Sequence, residues 1–485
     1  MSQKLKNEIM LITYADSMGK DLKDLKRVLA KYLEGAVGGI HILPFFPSSA
    51  DRGFSPTTYR EVDPAFGTWD DIQELGERYY LMYDYMINHM SDESEIYKNF
   101  LQYKDESPYR DFFIRFKDFW ENGEPTAEEL DKIYVRKERP YILAKFADGT
   151  EEKLWSTFSD QQIDINCQRS KTAKQFMRDN LAFLTDRGAA IIRLDAFAYA
   201  TKKPGTNCFF VEPDVWELIG ECREAVKESG AEILPEIHEH YFIQKKLAEK
   251  GYYTYDFQLP MLLLNALFFG KTLYLKNWMN ICPRRQFTTL DTHDGIGVVD
   301  VRYLMPDEEV LETKRRVFEL NPGITEVYIK TKKAINFEKF DTYQINCTYY
   351  SALGASDNKY LIARAVQFFA PGIPQVYYVG LFAGENDFDL FRSTGGHRDI
   401  NRHYYTVEEI EKEFRRPVVH CLNRLMKLRN SHPAFDGTFR LLDSDENSLA
   451  IRWENGSEYA ELFVDFIAFT WEIRYTKDGE EMNFI

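Results

Sequence analysis

The chain has 485 residues, 44% of them hydrophobic and 28% charged, the balance of a globular protein whose core suits one large domain with inserts or two or three ordinary ones. A formal net charge of −16 repels phosphate backbones and anionic lipid alike, which argues against nucleic acid and membrane surfaces as partners. Residues 1–10 lack the apolar stretch of a secretory signal and no run of about eighteen apolar residues occurs, so the expected location is the cytoplasm. Six scattered cysteines (Cys167, Cys208, Cys222, Cys282, Cys347, Cys421) form no metal-type spacing and read as buried free thiols.

In chain order, short apolar runs alternate with longer helical patterns. The strand candidates are 9–15, 39–46, 80–87, 189–197, 232–237, 253–259, 287–290 and 373–379, eight in all. Apolar residues at three- and four-residue spacing mark amphipathic helices among them, for example 22–33 and 215–228. The alternation predicts βαβ units and an α/β fold, a (β/α)8 TIM barrel. Two intervals break the rhythm: 91–168, aromatic and charged, after the third strand, and 296–353, charged, after the seventh. Both are too long for barrel loops and read as inserted subdomains. The barrel then comprises 1–90, 169–295 and 354–433, and the alternating runs of 434–485 predict a small C-terminal antiparallel β domain.

Strands of a parallel barrel are covered on both faces and should be almost continuously apolar, so the ionisable residues that end them are informative. The third ends in Asp84-Tyr85-Met86-Ile87-Asn88-His89, the fourth in Arg193-Leu194-Asp195, the fifth in Glu236-Ile237-His238 and the seventh in Asp291-Thr292-His293-Asp294. Arg193 and Asp195, two apart on a strand, share a face. One such pair reads as a structural ion pair. Four strands each delivering carboxylate or imidazole at the end where barrels build their sites is costly burial that points to function.

These four segments, in this order, resemble the four signature regions of the α-amylase superfamily, glycoside hydrolase family 13. A closer resemblance, to sucrose phosphorylases, runs through Leu43-Pro44-Phe45-Phe46-Pro47, the stretch from Asp291 to Val298, that from Tyr343 to Gly354, that from Pro374 to Gly380, and that from Asp399 to Tyr405. The resemblance implies retaining transfer of a glucosyl group from sucrose to inorganic phosphate, giving glucose 1-phosphate and fructose. No cofactor or metal is implied, and the expected assembly is a monomer or homodimer.

On that resemblance Asp195 is the nucleophile, Glu236 the acid/base and Asp294 the carboxylate that holds the sugar hydroxyls. Glu236 must then carry a proton where Asp195, beside Arg193, stays ionised. His89 and His293 are expected on the glucosyl hydroxyls, and Asp51 with Arg402 on the far side of the ring. Phe54 and Phe158 either pack on the sugar or are core aromatics; Gln162 neighbours them, and Tyr199 and His238 follow the catalytic strands closely enough to line the fructosyl side. Phosphate needs a local cation, which the insert supplies as Arg136-Lys137-Glu138-Arg139, with Arg136 preferred. In the second insert the resemblance gives Tyr343 to phosphate and Asp341 with Gln344 to fructose. Tyr343 favours unphosphorylated sucrose over sucrose 6′-phosphate; phosphorylases of glucosylglycerate or glucosylglycerol are the near alternatives. A hydrolase or transglucosidase of the same family is the next, opposed by the basic insert. A non-catalytic binding subunit is opposed by the joint presence of Asp195, Glu236 and Asp294.

Overall fold

A computed structural model of the chain describes residues 3–330 and 343–484. Its eight parallel strands are those of a (β/α)8 barrel: β1 (Met10–Thr13), β2 (Gly39–Ile42), β3 (Tyr80–Met86), β4 (Ala189–Asp195), β5 (Glu232–Pro235), β6 (Thr254–Asp256), β7 (Gln286–Thr288) and β8 (Ile373–Tyr377). The chain forms two compact units, one of residues 1–5 and 42–237, the other of residues 6–41 and 238–485.

In the first unit β3, β4 and β5 lie side by side. The register sets Asp84 opposite Arg193 and Met86 opposite Asp195, then Arg193 opposite Leu234 and Leu194 opposite Pro235. The residue that follows β5 is Glu236, whose N–H donates to the Leu194 carbonyl at 3.0 Å. Strand pairing alone therefore brings Asp84, Arg193, Asp195 and Glu236 together. The segment 91–168 carries one short antiparallel pair, Tyr141–Lys145 with Glu151–Trp155, and its Gln162–Asp164 pairs with His89–Ser91 at the segment's start. Ile114, Phe116, Phe119, Trp120, Ile133 and Trp155 form its apolar cluster with Cys208, so much of the aromatic excess here is core volume.

In the second unit the strand order is β6-β7-β8-β1-β2. Helix α1 (Leu22–Tyr32) starts where Asp21 accepts from the N–H groups of Lys23 and Asp24, and buries Leu22, Leu25, Val28 and Leu29. After β8 the chain ends in a five-stranded antiparallel sheet: β9 (Thr438–Leu442), β10 (Ser448–Asn455), β11 (Glu458–Asp465), β12 (Thr470–Lys477) and β13 (Glu480–Asn483). Alternate residues of it, Leu449 with Ile451 and Leu462 with Val464, face inward.

All eight expected strands form, with shorter bounds in several. The run 39–46 ends as a strand at Ile42, ahead of Pro44, which has no N–H to give a ladder. The run 253–259 stops at Asp256, because Pro260 sits in the first turn of a helix, Leu259–Phe269, whose residues through Leu267 are all buried. The six cysteines are free, five of them buried. Among the described residues no helix is long and apolar enough to cross a membrane.

Candidate active site

The first unit gathers three carboxylates around one guanidinium. Arg193 is 4% exposed; Nη1 donates to Asp84 and, at 2.9 Å, to Asp195, and Nη2 lies 3.5 Å from Glu236. Asp84 is fully buried, whereas Asp195 and Glu236 keep 13% and 11% of their side chains exposed. Directly after Asp195 the backbone turns through Ala196 at φ 51°, a left-handed conformation that a residue with a Cβ adopts at a cost of about 1 kcal/mol. The turn aims the Ala196 N–H at Glu236 Oε2, 3.0 Å away.

A second group surrounds Phe54. Its carbonyl accepts from Gln162 Nε2 at 2.9 Å and from His89 Nε2 at 2.9 Å. A carbonyl only accepts, so His89 carries its proton on Nε2 and offers Nδ1 to the Asn88 amide at 3.4 Å. Burial lowers the pKa of His89 below the ordinary histidine value, opposed by the charges of Asp164 and Asp51. Nε2 thus holds the Phe54 loop and Nδ1 faces Asn88, so the expected contact with a sugar hydroxyl needs an exchange of partners. Asp51 itself is exposed, and three successive residues there, Asp51, Arg52 and Gly53, have positive φ. At Gly53 an added Cβ would sit 2.4 Å from the Pro44 carbonyl oxygen, so the turn admits only glycine.

Aromatic rings link this group to the basic insert. His89 meets Phe158 edge-on at 5.4 Å, Phe158 meets Tyr199 at 5.1 Å, and Tyr134 stacks near Tyr199 at 6.2 Å. Burial raises the Tyr199 phenol well above its usual value, the Arg136 charge opposing and the Glu236 charge adding to it. Arg136 and Glu236 therefore both lie within electrostatic reach of one hydroxyl. Lys137 is turned elsewhere, 2.5 Å from Asp160, and Arg139 is exposed. Beneath the insert the buried Lys202 ammonium donates to Asn88 at 2.9 Å, to the Tyr199 carbonyl, and pairs with buried Asp164 at 2.8 Å.

In the second unit the turn after β7 is closed by mutual hydrogen bonds between Thr292 and Gly295. It presents His293 and Asp294, with His293 Nε2 3.6 Å from Asp294 Oδ2. Asp294 Oδ1 lies 3.0 Å from Arg398 and 4.0 Å from Arg402, while Arg402 Nε donates to the His293 carbonyl at 2.9 Å. Tyr14 stands edge-on to His293 at 6.2 Å and under the Arg402 guanidinium at 5.8 Å. Elsewhere in the unit, His238 Nδ1 faces Asp300 at 3.2 Å, its Nε2 faces Gln344 at 3.1 Å, and its ring meets Tyr343 at 5.3 Å. Burial pushes the Asp300 carboxyl up, with His238 pulling it down.

The expected residues fall into these groups, except Asp341, which lies outside the described residues. Asp84, Lys202, Asp164, Arg398 and Asp300 are partners that the strand-end argument does not single out. Asp84 stood in the quoted third strand, and its register with Arg193 was the available signal. The others are joined only by the folding of distant segments.

The Alpha-amylase family model for the catalytic domain matches residues 10–258. The chain is 48% identical to a sucrose phosphorylase of Streptococcus mutans serotype c, over 99% of both chains, and 45% identical to a glucosylglycerol phosphorylase of Marinobacter adhaerens, over 97% of both. Among solved structures, that of sucrose 6F-phosphate phosphorylase from Thermoanaerobacter thermosaccharolyticum aligns with a TM-score of 0.92 at 40% identity, covering 99% of this chain and 98% of that one. With the (β/α)8 strands, the Arg193-centred carboxylates and these relatives in agreement, the chain belongs to the α-amylase superfamily, glycoside hydrolase family 13, and within it to the sucrose phosphorylase family.

Proposed function

We propose that this chain converts sucrose and inorganic phosphate to α-D-glucose 1-phosphate and D-fructose by double displacement. The observation that carries the reading is the sharing of Arg193 between Asp195 and Glu236 at the ends of adjacent parallel strands. Retaining glycosyl transfer needs a nucleophile and an acid about 5 Å apart, and one guanidinium touching both carboxylates suits that spacing. Asp195 attacks the anomeric carbon as Glu236 passes its proton to the departing fructosyl oxygen, leaving a β-glucosyl ester. A phosphate oxygen then attacks from the opposite side, Glu236 takes back a proton, and the product leaves with α configuration.

Asp294 holds the sugar hydroxyls and favours the cationic transition state, with His293 and Arg402 beside it. Asp51, Phe54, His89, Phe158 and Gln162 complete the glucose subsite. Tyr199, His238, Asp341 and Gln344 take the fructosyl group. Arg136 and Tyr343 receive phosphate, the former favoured because its charge reaches the Tyr199 hydroxyl that Glu236 also reaches. The protein works in the cytoplasm as a monomer or homodimer and needs no cofactor or metal.

Near-equal identity to a glucosylglycerol phosphorylase favours one second reading, in which glycerol replaces fructose. Product analysis separates them. Purified enzyme with sucrose is expected to release glucose 1-phosphate and fructose only when phosphate is present. Free glucose regardless of phosphate would leave a hydrolase, and glucose 1-phosphate from glucosylglycerol but not sucrose would establish the second reading.

A further inference from the structure

Asp300 belongs to no strand end and to no expected role, yet it is completely buried beside the ring assigned above to the fructosyl side. It lies in a one-turn 3₁₀ helix, Val299–Val301. The residues before that turn pair with the segment that carries Tyr343 and Gln344: Gly297 opposes Gln344, and the Val298 N–H donates to the Tyr343 carbonyl at 3.0 Å. One short stretch of backbone therefore holds both the carboxylate behind His238 and the loop in front of it. Gly297 makes the room. A Cβ there would stand 2.4 Å from Asp300 Oδ2 and 3.6 Å from His238 Nδ1, wedged against the contact itself. The His238 ring is fixed in plane by Phe257, stacked at 3.9 Å and 15°.

We propose that Asp300 is a positioning residue that sets the hydrogen-bonding polarity of the leaving-group subsite through His238 and Gln344. A carboxylate accepts the Nδ1–H of His238 at 3.2 Å, which leaves Nε2 as a bare acceptor. Nε2 faces the amide nitrogen of Gln344 at 3.1 Å, and an amide NH₂ can only donate. With its NH₂ turned to the ring, Gln344 has its carbonyl oxygen directed away from it, toward a ligand. The subsite then offers an acceptor, which suits sugar hydroxyls, able to donate, better than it suits an anion. The inference rests on the assignment of His238 and Gln344 to the fructosyl group.

Asp300→Asn keeps shape and volume but supplies a donor to Nδ1. The ring then takes the Nε2–H tautomer, and Gln344 must turn its oxygen inward and show its NH₂ to the ligand. Compared with α-D-glucosyl fluoride, which has no fructosyl group, sucrose is expected to lose about tenfold more in kcat/KM, the worth of one mismatched hydrogen bond. Transfer from the glucosyl-enzyme to fructose should fall relative to transfer to phosphate. Equal losses with both donors, or no loss with sucrose, would overturn the proposal. A second measurement needs no variant: ¹⁵N-histidine spectra of the unaltered enzyme are expected to give His238 as the neutral Nδ1–H tautomer, and an Nε2–H tautomer would sink the idea. An unaltered enzyme that does not phosphorolyse sucrose defeats the functional reading instead, and is recognised before any variant is made.

Discussion

Arg193 and Arg364 are both buried arginines that meet an aspartate at or shortly after the end of a barrel strand, yet they use their charge differently. Arg364 faces one carboxylate, Asp291 at 3.2 Å, and gives its remaining donors to Tyr360 and Gln367. Asp291 spends its second oxygen on the Tyr349 N–H at 3.1 Å. Both side chains are 1% exposed or less, so nothing is left for a ligand. Arg193 faces three carboxylates, two of them partly open. A closed pair with matched charge is architecture. Several carboxylates gathered on one cation, two of them partly exposed, suit acid/base and nucleophilic work.

The comparison breaks most directly at Asp195. Replacing it by Asn removes the proposed nucleophile and one of three clustered carboxylates, so turnover of sucrose with phosphate should fall on the order of 10⁴-fold or more. The urea midpoint should stay or rise. A variant that retains activity, or loses stability in step with it, would put Asp195 in the same class as Asp291. The converse experiment is Arg364→Met, which strands Asp291 without a cation in a dry site. Burial already raises the Asp291 carboxyl and Arg364 opposes that rise, so the loss should be about 3–5 kcal/mol in urea unfolding. The enzyme that remains folded should keep its KM for sucrose. A shifted KM at unchanged stability would mean that this pair also serves the site.

The same contrast explains what was legible in the sequence. Strands β3, β4 and β5 are apolar runs ended by charge, and the first unit's cluster of carboxylates around Arg193 follows from their positions plus register, so the proximity of Asp195, Arg193 and Glu236 was legible. Asp291 ends its run in the same manner and is structural. What separates it from Asp195 is Arg364, 73 residues on, which no local pattern links to it. Lys202 with Asp164, and Asp300 with His238, were hidden for the same reason: each is a contact across a long sequence gap, and burial alone makes it strong. Strand ends were blurred where proline intervened, at Pro44 and Pro260, because apolar character continues through residues that cannot extend a ladder.

The smallest effect concerns the insert, where three basic residues lie within four positions and composition could not choose among them. Lys137 has a carboxylate partner in Asp160 at 2.5 Å, and Arg139 is exposed, whereas Arg136 acts on the Tyr199 hydroxyl that also feels Glu236. A charge-assisted hydrogen bond to phosphate is worth about 1.5–3 kcal/mol, so Arg136→Ala should raise the KM for phosphate by about tenfold or more. Water needs no cation to attack the glucosyl-enzyme, so the share of free glucose among the products should grow as phosphate transfer weakens. Lys137→Ala loses a pair whose carboxylate is mostly exposed, and should move neither quantity much. The ratio of glucose to glucose 1-phosphate across a phosphate series measures both variants at once. If Lys137→Ala shifts that ratio more than Arg136→Ala does, the cation that matters is Lys137, and Arg136 joins Arg364 as architecture.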